Sequence, residues 1–327
     1  MSRRLSWGMT AMRKRRIGSL QVSVVGLGCN NFGGRLDEAA TKSVVDAAID
    51  AGVDLFDTAD VYGGTNSETF LGRVLEGRRD RVVLATKFGS KVAEGKQGAR
   101  PEYVRQALED SLRRLRTDHI DLYQLHRPDP EVPIADTLGA LAEAVRAGLV
   151  REIGCSNFSA AQIAEAAAAV APGAPRFVSV QNELSMLKRD DEKEVLPACR
   201  EHGLAYLPYF PLFSGLLTGK YRKGQPLPEG TRITGNPRWE QHLTEANLDL
   251  IEDLVAFASE RGKELVDLAF AWLLAKPEVA SVIAGATSAE QVRRNAQAGA
   301  WELTPEEVGA VDALLDEHAS RGAGAKR

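Results

Sequence analysis

Eight short apolar runs, separated by stretches of helical period, pass along almost the whole of this 327-residue chain, and no other feature restricts its fold as much. The runs are Val22–Leu27, Val53–Asp57, Val82–Lys87, Asp121–His126, Glu152–Ser156, Val178–Gln181, Ala205–Tyr209 and Ser281–Ala284. Each is β-branched or continuously apolar, as parallel strands buried on both faces must be. Between them, Val104, Ala107, Leu108, Ser111, Leu112 and Leu115 line one face of a helix that Pro101 opens. Glu109 with Arg113, and Asp110 with Arg114, are expected to pair on its solvent side. Pro133 opens another helix, which Gly148 stops, and Ser159/Gln162, Ser288/Gln291 and Thr304/Glu307 have the spacing of capping boxes. Repeated strand–helix units require right-handed crossovers and a parallel sheet, and eight of them suit closure. The expected class is therefore α/β, a (β/α)8 TIM barrel. Arg16–Val24, turning at Gly18-Ser19, is expected to form an N-terminal β-hairpin at the barrel bottom, and an extra C-terminal helix starts at Thr304. Tyr221–Thr244 lies outside the repeat and has the length of a functional lid.

No linker or low-complexity break divides the chain, so residues 12–327 are expected to form one domain. Residues 1–11 read as a disordered start or an over-called one, with Met12 as the true first residue. Arg3-Arg4 is not followed by the apolar stretch an export signal needs, because Lys14, Arg15 and Arg16 intervene. With a net charge of −4 there is no global basic field to hold nucleic acid or an anionic membrane, and no run is long enough to span a bilayer. Cys29, Cys155 and Cys199 are odd in number and far apart. That argues against disulfides and a zinc ribbon, and for a reducing, cytoplasmic setting. No metal site is expected.

A barrel of this kind places its active site at the C-terminal strand ends. The polar residues ending the runs are Asp57, Lys87, His126, Ser156-Asn157, Gln181-Asn182 and Tyr209. A lysine ending a buried strand is costly unless it is used, and Asp57 at the neighbouring strand end can balance it. Tyr62, five residues past Asp57 and before Gly63-Gly64, can fold back over the mouth. A phenol beside an ammonium is expected to have its pKa lowered, making it a general acid. His126 can orient a carbonyl oxygen. Singly, each of these residues is more often a cap, a packing group or a structural histidine; as a set they suit protonation of a carbonyl oxygen while hydride reaches its carbon.

The segment Gly52–Gly72 resembles the signature of the aldo-keto reductase superfamily, as do "LATKFG" around Lys87, "DLYQLHRPD" around His126, "GLVREIGCSNFS" from Gly148, "VQNELS" from Val180 and "SVIAGATSAEQVRRN" from Ser281. The resemblance runs from Arg16 to Leu315. It implies NAD(P)H-dependent reduction of aldehydes and ketones (an EC 1.1.1 oxidoreductase) with a catalytic tetrad of Asp57, Tyr62, Lys87 and His126. It also implies that Ser156, Asn157 and Gln181 hold the nicotinamide carboxamide, that Tyr209 stacks on the ring, and that Gly28 and Cys29 approach the ribose. By the same resemblance Pro211, Leu212, Ser214, Gly215 and Leu217 belong to a loop over the pyrophosphate. No GxGxxG fingerprint is present; Gly285, Thr287 and Ser288, at a helix N-terminus carrying Gln291 and Asn295, offer a phosphate site instead. The basic residue that NADPH-preferring relatives carry beside the Ser288 position is replaced by Ala286-Thr287, leaving Arg293 and Arg294 to reach a 2′-phosphate. NADPH is the expected cofactor, with NADH as the alternative.

Phe32, Tyr62, Phe88, the Val92–Gly98 loop, Arg127-Pro128 and Tyr221–Thr244 are expected to wall the substrate pocket for a small carbonyl compound. The chain is expected to be a monomer or a weak homo-oligomer. Two other readings have a lysine or a cofactor at the same place: a Schiff-base aldolase through Lys87, and a cofactor-binding regulatory subunit like those on potassium channels.

Overall fold

A computed structural model of the protein describes residues 12–324, so the expectation for residues 1–11 lies outside the described residues. Ten strands are present among the described residues: β1 (Lys14–Ile17), β2 (Leu20–Ser23), β3 (Val25–Gly28), β4 (Leu55–Asp57), β5 (Val83–Phe88), β6 (Ile120–Leu125), β7 (Val150–Ser156), β8 (Phe177–Gln181), β9 (Ala205–Tyr206) and β10 (Val282–Gly285). The helices are α1 (Glu38–Asp50), α2 (Asn66–Val74), α3 (Pro101–Leu115), α4 (Ile134–Arg146), α5 (Ala160–Ala168), α6 (Val195–His202), α7 (Pro237–Glu240), α8 (Glu245–Ser259), α9 (Leu265–Leu274), α10 (Ala289–Ala298) and α11 (Pro305–Gly324). Strands β3 to β10 form one parallel sheet in the order β10-β3-β4-β5-β6-β7-β8-β9. Parallel bridges from Tyr206 to Val279 and from Tyr209 to Ile283 join its two ends, so the sheet closes as a TIM barrel.

Two apolar cores follow from the period-2 alternation of the strands. Outward residues such as Phe56, Leu84, Tyr123 and Ile153 pack under the helices. Inward residues Leu55, Ala85, Leu122, Leu207 and Ile283 form a separate core, which Ile17, Leu20 and Val22 of the β1–β2 hairpin close from below. Going up β4 and β5, the inward positions change from apolar to polar: Leu55 then Asp57, and Val83, Ala85 then Lys87.

The basic cluster at Arg13–Arg16 is built into this plug. Arg15 Nη2 donates to Leu274 O (2.7 Å) at the end of α9, and Arg13 Nη2 to Gly299 O (2.9 Å) just past α10. Both guanidiniums therefore cap helix C-termini, whose exposed carbonyls attract cations.

Several expected boundaries shift. Val22–Leu27 is two elements, because Val22 and Ser23 belong to the hairpin and the barrel strand begins at Val25. At the corner the Ser23 hydroxyl donates to Val25 O (2.7 Å), while its N–H donates to Asp54 Oδ1 (2.7 Å). The run Ala205–Tyr209 is a regular strand only over Ala205–Tyr206; beyond it the pairing is reduced to isolated bridges at Tyr209, since Pro208 has no N–H for the ladder. Arg114 does not meet Asp110. Its Nε donates to Glu68 Oε2 (2.6 Å), a fully buried carboxylate on α2 whose charge needs a partner more than a less buried one does, and Arg113 Nη2 donates to Asp110 Oδ1 (2.5 Å) instead of pairing with Glu109.

Candidate active site

Asp57 ends β4, Lys87 lies one residue from the end of β5, and His126 follows β6 directly, its N–H bonded to Phe88 O (2.8 Å). The alternation brings all three into the mouth. It also turns Phe88 outward, where it stacks on Tyr123 with ring centroids 4.7 Å apart. Phe88 and Phe32 are fully enclosed in the outer core, so neither walls the pocket as expected.

The loop carrying Tyr62 is pinned to β5. Asp60 N–H donates to Lys87 O (3.1 Å) and Tyr62 N–H to Ala59 O (3.2 Å). Gly63 and Gly64 then take positive φ (57° and 61°), and a Cβ at Gly63 would stand 2.3 Å from Phe32 O. Only glycine permits that combination, so the Tyr-Gly-Gly order is what folds the phenol back.

Lys87 is the hub. Its Nζ donates to Asp57 Oδ2 (2.7 Å), to Thr58 O (2.9 Å) and, at longer range, to Tyr62 OH (3.5 Å), and the residue is fully buried. Burial opposes the ammonium, yet Asp57 and Tyr62 together outweigh it and hold Lys87 above the ordinary lysine range. The His126 ring meets the Tyr62 ring edge-on, with centroids 5.8 Å apart.

Two protonation states follow. Burial, then the charges of Lys87 and Arg127, pull His126 down to about 3, so its imidazole is neutral at any working pH and has no spare proton to give. Tyr62 corrects the sequence expectation: burial raises its pKa above that of a free phenol, with Lys87 only moderating the rise. The phenol therefore stays protonated, and its anion is stabilised only by the ammonium alongside.

Asp57 has further donors. Oδ1 accepts from Gln181 Nε2 (2.9 Å) and from Gln124 Nε2 (3.2 Å), the latter a residue the sequence reading missed. The signal was available, because Gln124 lies two positions before His126 and therefore faces the same way.

The remaining expected residues occupy an adjoining arc. Ser156 Oγ donates to Gln181 O (2.6 Å), Asn157 Nδ2 to His126 O (2.9 Å) and Tyr209 OH to Asn157 Oδ1 (2.8 Å). Asn182 turns away to Phe158 O (2.9 Å) and Asp191 Oδ2 (2.8 Å) and takes no part. Gly28 pairs with Gly285 across β3 and β10. Cys29 is enclosed with its thiol toward Leu27 O, so only its backbone reaches the mouth. After Pro211 and Leu212 comes strained backbone: Phe213, Ser214 and Gly215 have φ of 44°, 56° and 104°. Ser214 Oγ is buried without a partner among the described residues, whereas Leu217 is packed into the core. Ser288 caps α10 through Gln291 N (3.2 Å), and Gln291 Oε1 accepts from Thr287 N (2.8 Å). Asn295 is buried one turn on, and Arg293 is exposed. Arg294 is committed to Asp267 (2.7 Å) and Glu264 (2.9 Å), which removes it from a 2′-phosphate.

The segment Tyr221–Thr244 is anchored by aromatic edges. Trp239, on α7, meets Phe210 and Phe213, each at 5.9 Å, and Arg232 Nη2 donates to Asn31 Oδ1 (3.1 Å).

Beneath Tyr62 lies Asp60, 1% exposed, with neither carboxylate oxygen hydrogen-bonded among the described residues. Burial, with Glu68 adding to it, raises Asp60 to about 7, against the opposing pulls of Arg114, the nearby Val61 N–H and Lys87. An acid raised on folding binds its proton more tightly in the native state, so stability falls as pH climbs from the ordinary carboxylate range through about 7. Asp60→Asn is expected to be more stable than the parent by about 1–3 kcal/mol at pH 8 and by little at pH 5. Urea melts at the two pH values check this; a difference independent of pH would mean that Asp60 is ionised without penalty.

A family model described as the aldo/keto reductase family matches residues 24–316. The chain is similar to aldo-keto reductase AKR11C1 from Bacillus halodurans (holo form), with 34% identity, a TM-score of 0.77, and 93% and 96% of the two chains covered. It is also similar to the glycerol dehydrogenase AKR11B4 from Gluconobacter oxydans, with 32% identity, a TM-score of 0.81, and coverage of 93% and 95%.

Proposed function

The chain belongs to the aldo/keto reductase family, an oxidoreductase family, and from that premise we propose that it reduces aldehydes or ketones to alcohols with NADPH, Tyr62 supplying the proton. The observation that carries this reading is Lys87 Nζ, held 2.7 Å from Asp57 Oδ2 and 3.5 Å from Tyr62 OH, under a neutral His126. Residues 12–327 act as one unit in this reading, in the cytoplasm; no helix among the described residues is long and apolar enough to cross a membrane.

When bound, the nicotinamide supplies a hydride to the substrate carbon. Ser156, Asn157 and Gln181 would hold its carboxamide and Tyr209 its ring face, while the Pro211–Leu217 loop and Gly285–Ser288 would take the phosphates. Ser214 fits this, since its enclosed hydroxyl lacks a partner and its backbone is already left-handed. Gly285 fits as well, because a Cβ there would crowd Asn30 Oδ1 (3.2 Å) and Asn31 Nδ2 (3.3 Å).

The substrate oxygen sits between Tyr62 OH and the His126 ring. His126 donates one hydrogen bond and fixes the carbonyl's orientation. As negative charge grows on that oxygen, Tyr62 releases its proton to it, and Lys87 stabilises the phenolate left behind. Asp57 keeps Lys87 charged throughout. Reduction therefore weakens as pH rises through the ionisation of Tyr62, and alcohol oxidation strengthens over the same range.

The enclosed, charged Lys87 is unsuited to a Schiff base, which needs a free neutral amine. Turnover separates the enzyme from a slow cofactor-binding subunit. The glycerol dehydrogenase among the similar structures makes small hydroxylated carbonyls the first compounds to assay. For the cofactor, the Thr287 and Ser288 hydroxyls with Arg293 favour a 2′-phosphate, and kcat/KM is expected to be about tenfold or more higher with NADPH than with NADH. A ratio near one overturns the NADPH assignment, and no nicotinamide-dependent turnover of any carbonyl overturns the reading itself.

A further inference from the structure

We propose that Gln124 is a positioning residue for the proton-transfer centre, its buried amide and that of Gln181 clamping one Asp57 oxygen so that the other faces Lys87. The inference rests on the reading of Tyr62 as proton donor given above.

Gln124 is fully buried on β6 and pairs in register with Lys87 on β5, so the two side chains occupy one layer of the barrel interior. Its Nε2 reaches Asp57 Oδ1 at 3.2 Å, beside Gln181 Nε2 at 2.9 Å on the same atom, while Lys87 takes Oδ2 at 2.7 Å. With separate donors on each oxygen, the carboxylate cannot rotate without giving up hydrogen bonds. Packing does not account for an amide here, since a leucine would fill the layer without burying polar atoms.

The next strand makes room for it. Gly154 on β7 pairs with Gln124, and a Cβ there would stand 3.3 Å from Gln124 Cγ and 2.5 Å from Ser179 Oγ. Ser179 Oγ borders this glycine gap, and neither it nor Gln124 Oε1 has a partner among the described residues. The amide is thus left partly unsatisfied in order to lie across the interior toward Asp57, a loss that a purely structural residue does not need.

The electrostatic effect follows from the direction of the bond. Two amide dipoles present their positive ends to Asp57 and temper its pull on Lys87, leaving more of the ammonium's field for the Tyr62 oxygen. The ionisable groups around Tyr62 are Lys87 and Asp57 on the strands below, Cys29 after β3, neutral His126 after β6 and Tyr209 after β9, whose phenol burial pushes up to about 12. Of these, Gln124 is hydrogen-bonded only to Asp57. Without its amide, Tyr62 is harder to ionise and its phenolate less stable.

Gln124→Met keeps the volume and removes the donor; Gln124→Asn keeps an amide too short to reach, and stands in if the first variant folds poorly. Both are expected to lower kcat at pH 7 by about three- to tenfold with KM unchanged. The basic limb of the kcat profile should move upward by about half a pH unit or more. The readout independent of turnover is tyrosinate absorbance, with the Tyr62→Phe signal subtracted in each background, and the Tyr62 step should move up by the same amount. A folded Gln124 variant with an unmoved Tyr62 step overturns the proposal, whether kcat is normal or is reduced through lost stability alone. Should the parent protein reduce no carbonyl, the functional reading fails, and the Tyr62 titration still decides the role of Gln124.

Discussion

Tyr62→Phe is expected to lower kcat for carbonyl reduction by about 10²–10⁴-fold while leaving the dissociation constant for NADPH unchanged. The size follows from the protonation states around the substrate oxygen. His126, held at about 3, has no proton to spare, and Lys87 is tied to Asp57 and Thr58, so Tyr62 is the one donor of the tetrad placed to serve. Phe keeps the ring that meets His126 edge-on and removes only the hydroxyl. Cofactor binding measured by fluorescence should be unaltered, because the hydroxyl belongs to the substrate side of the mouth in the proposed mechanism. Near-normal kcat in this variant would mean that the proton comes from elsewhere.

The second large effect is on stability. Lys87→Met leaves Asp57, 3% exposed, with two amides and no cation, and is expected to cost about 3–5 kcal/mol at pH 8. A lone buried carboxylate takes up a proton more readily than an exposed one. Its folded pKa then exceeds its unfolded one, so the variant loses stability as pH rises and recovers it as pH falls. Denaturant melts of parent and variant at pH 5 and 8 should show the gap narrowing toward the acid side. Adding Asp57→Asn to Lys87→Met should restore part of the loss at pH 8. If the double variant is as unstable as the single one, the loss is one of packing, not of an unpaired charge.

The legible part of the site was the part that ended strands with charge. Asp57 and Lys87 interrupt apolar runs, and such an interruption needs a reason, so the ion pair is readable from the sequence alone. Gln124 is uncharged and lies inside "DLYQLH", where one polar residue among apolar ones looks like ordinary alternation. Counting by two from His126 separates it from Tyr123 and Leu125, and the same count would have sent Phe88 outward. Arg114 was misread because local spacing offers a partner in Asp110, whereas the fold offers a buried one in Glu68, 46 residues away. Asp60 was passed over because nothing in "DTADVY" says which aspartate points at water. In each case the missing information was the facing of a side chain or a distant partner, and both are settled only when the barrel closes.

The arginines of the plug have a consequence for how the chain is made. Arg15 waits for Leu274 and Arg13 for Gly299, separations of 259 and 286 residues. On the ribosome, therefore, the hairpin cannot lock until the strand–helix units that follow it have emerged, and until then Ile17, Leu20 and Val22 have no closed barrel to cover. Contacts of such long sequence separation slow folding. Closure of the barrel base should be a late event in refolding, and the apolar face of the hairpin stays exposed until it happens.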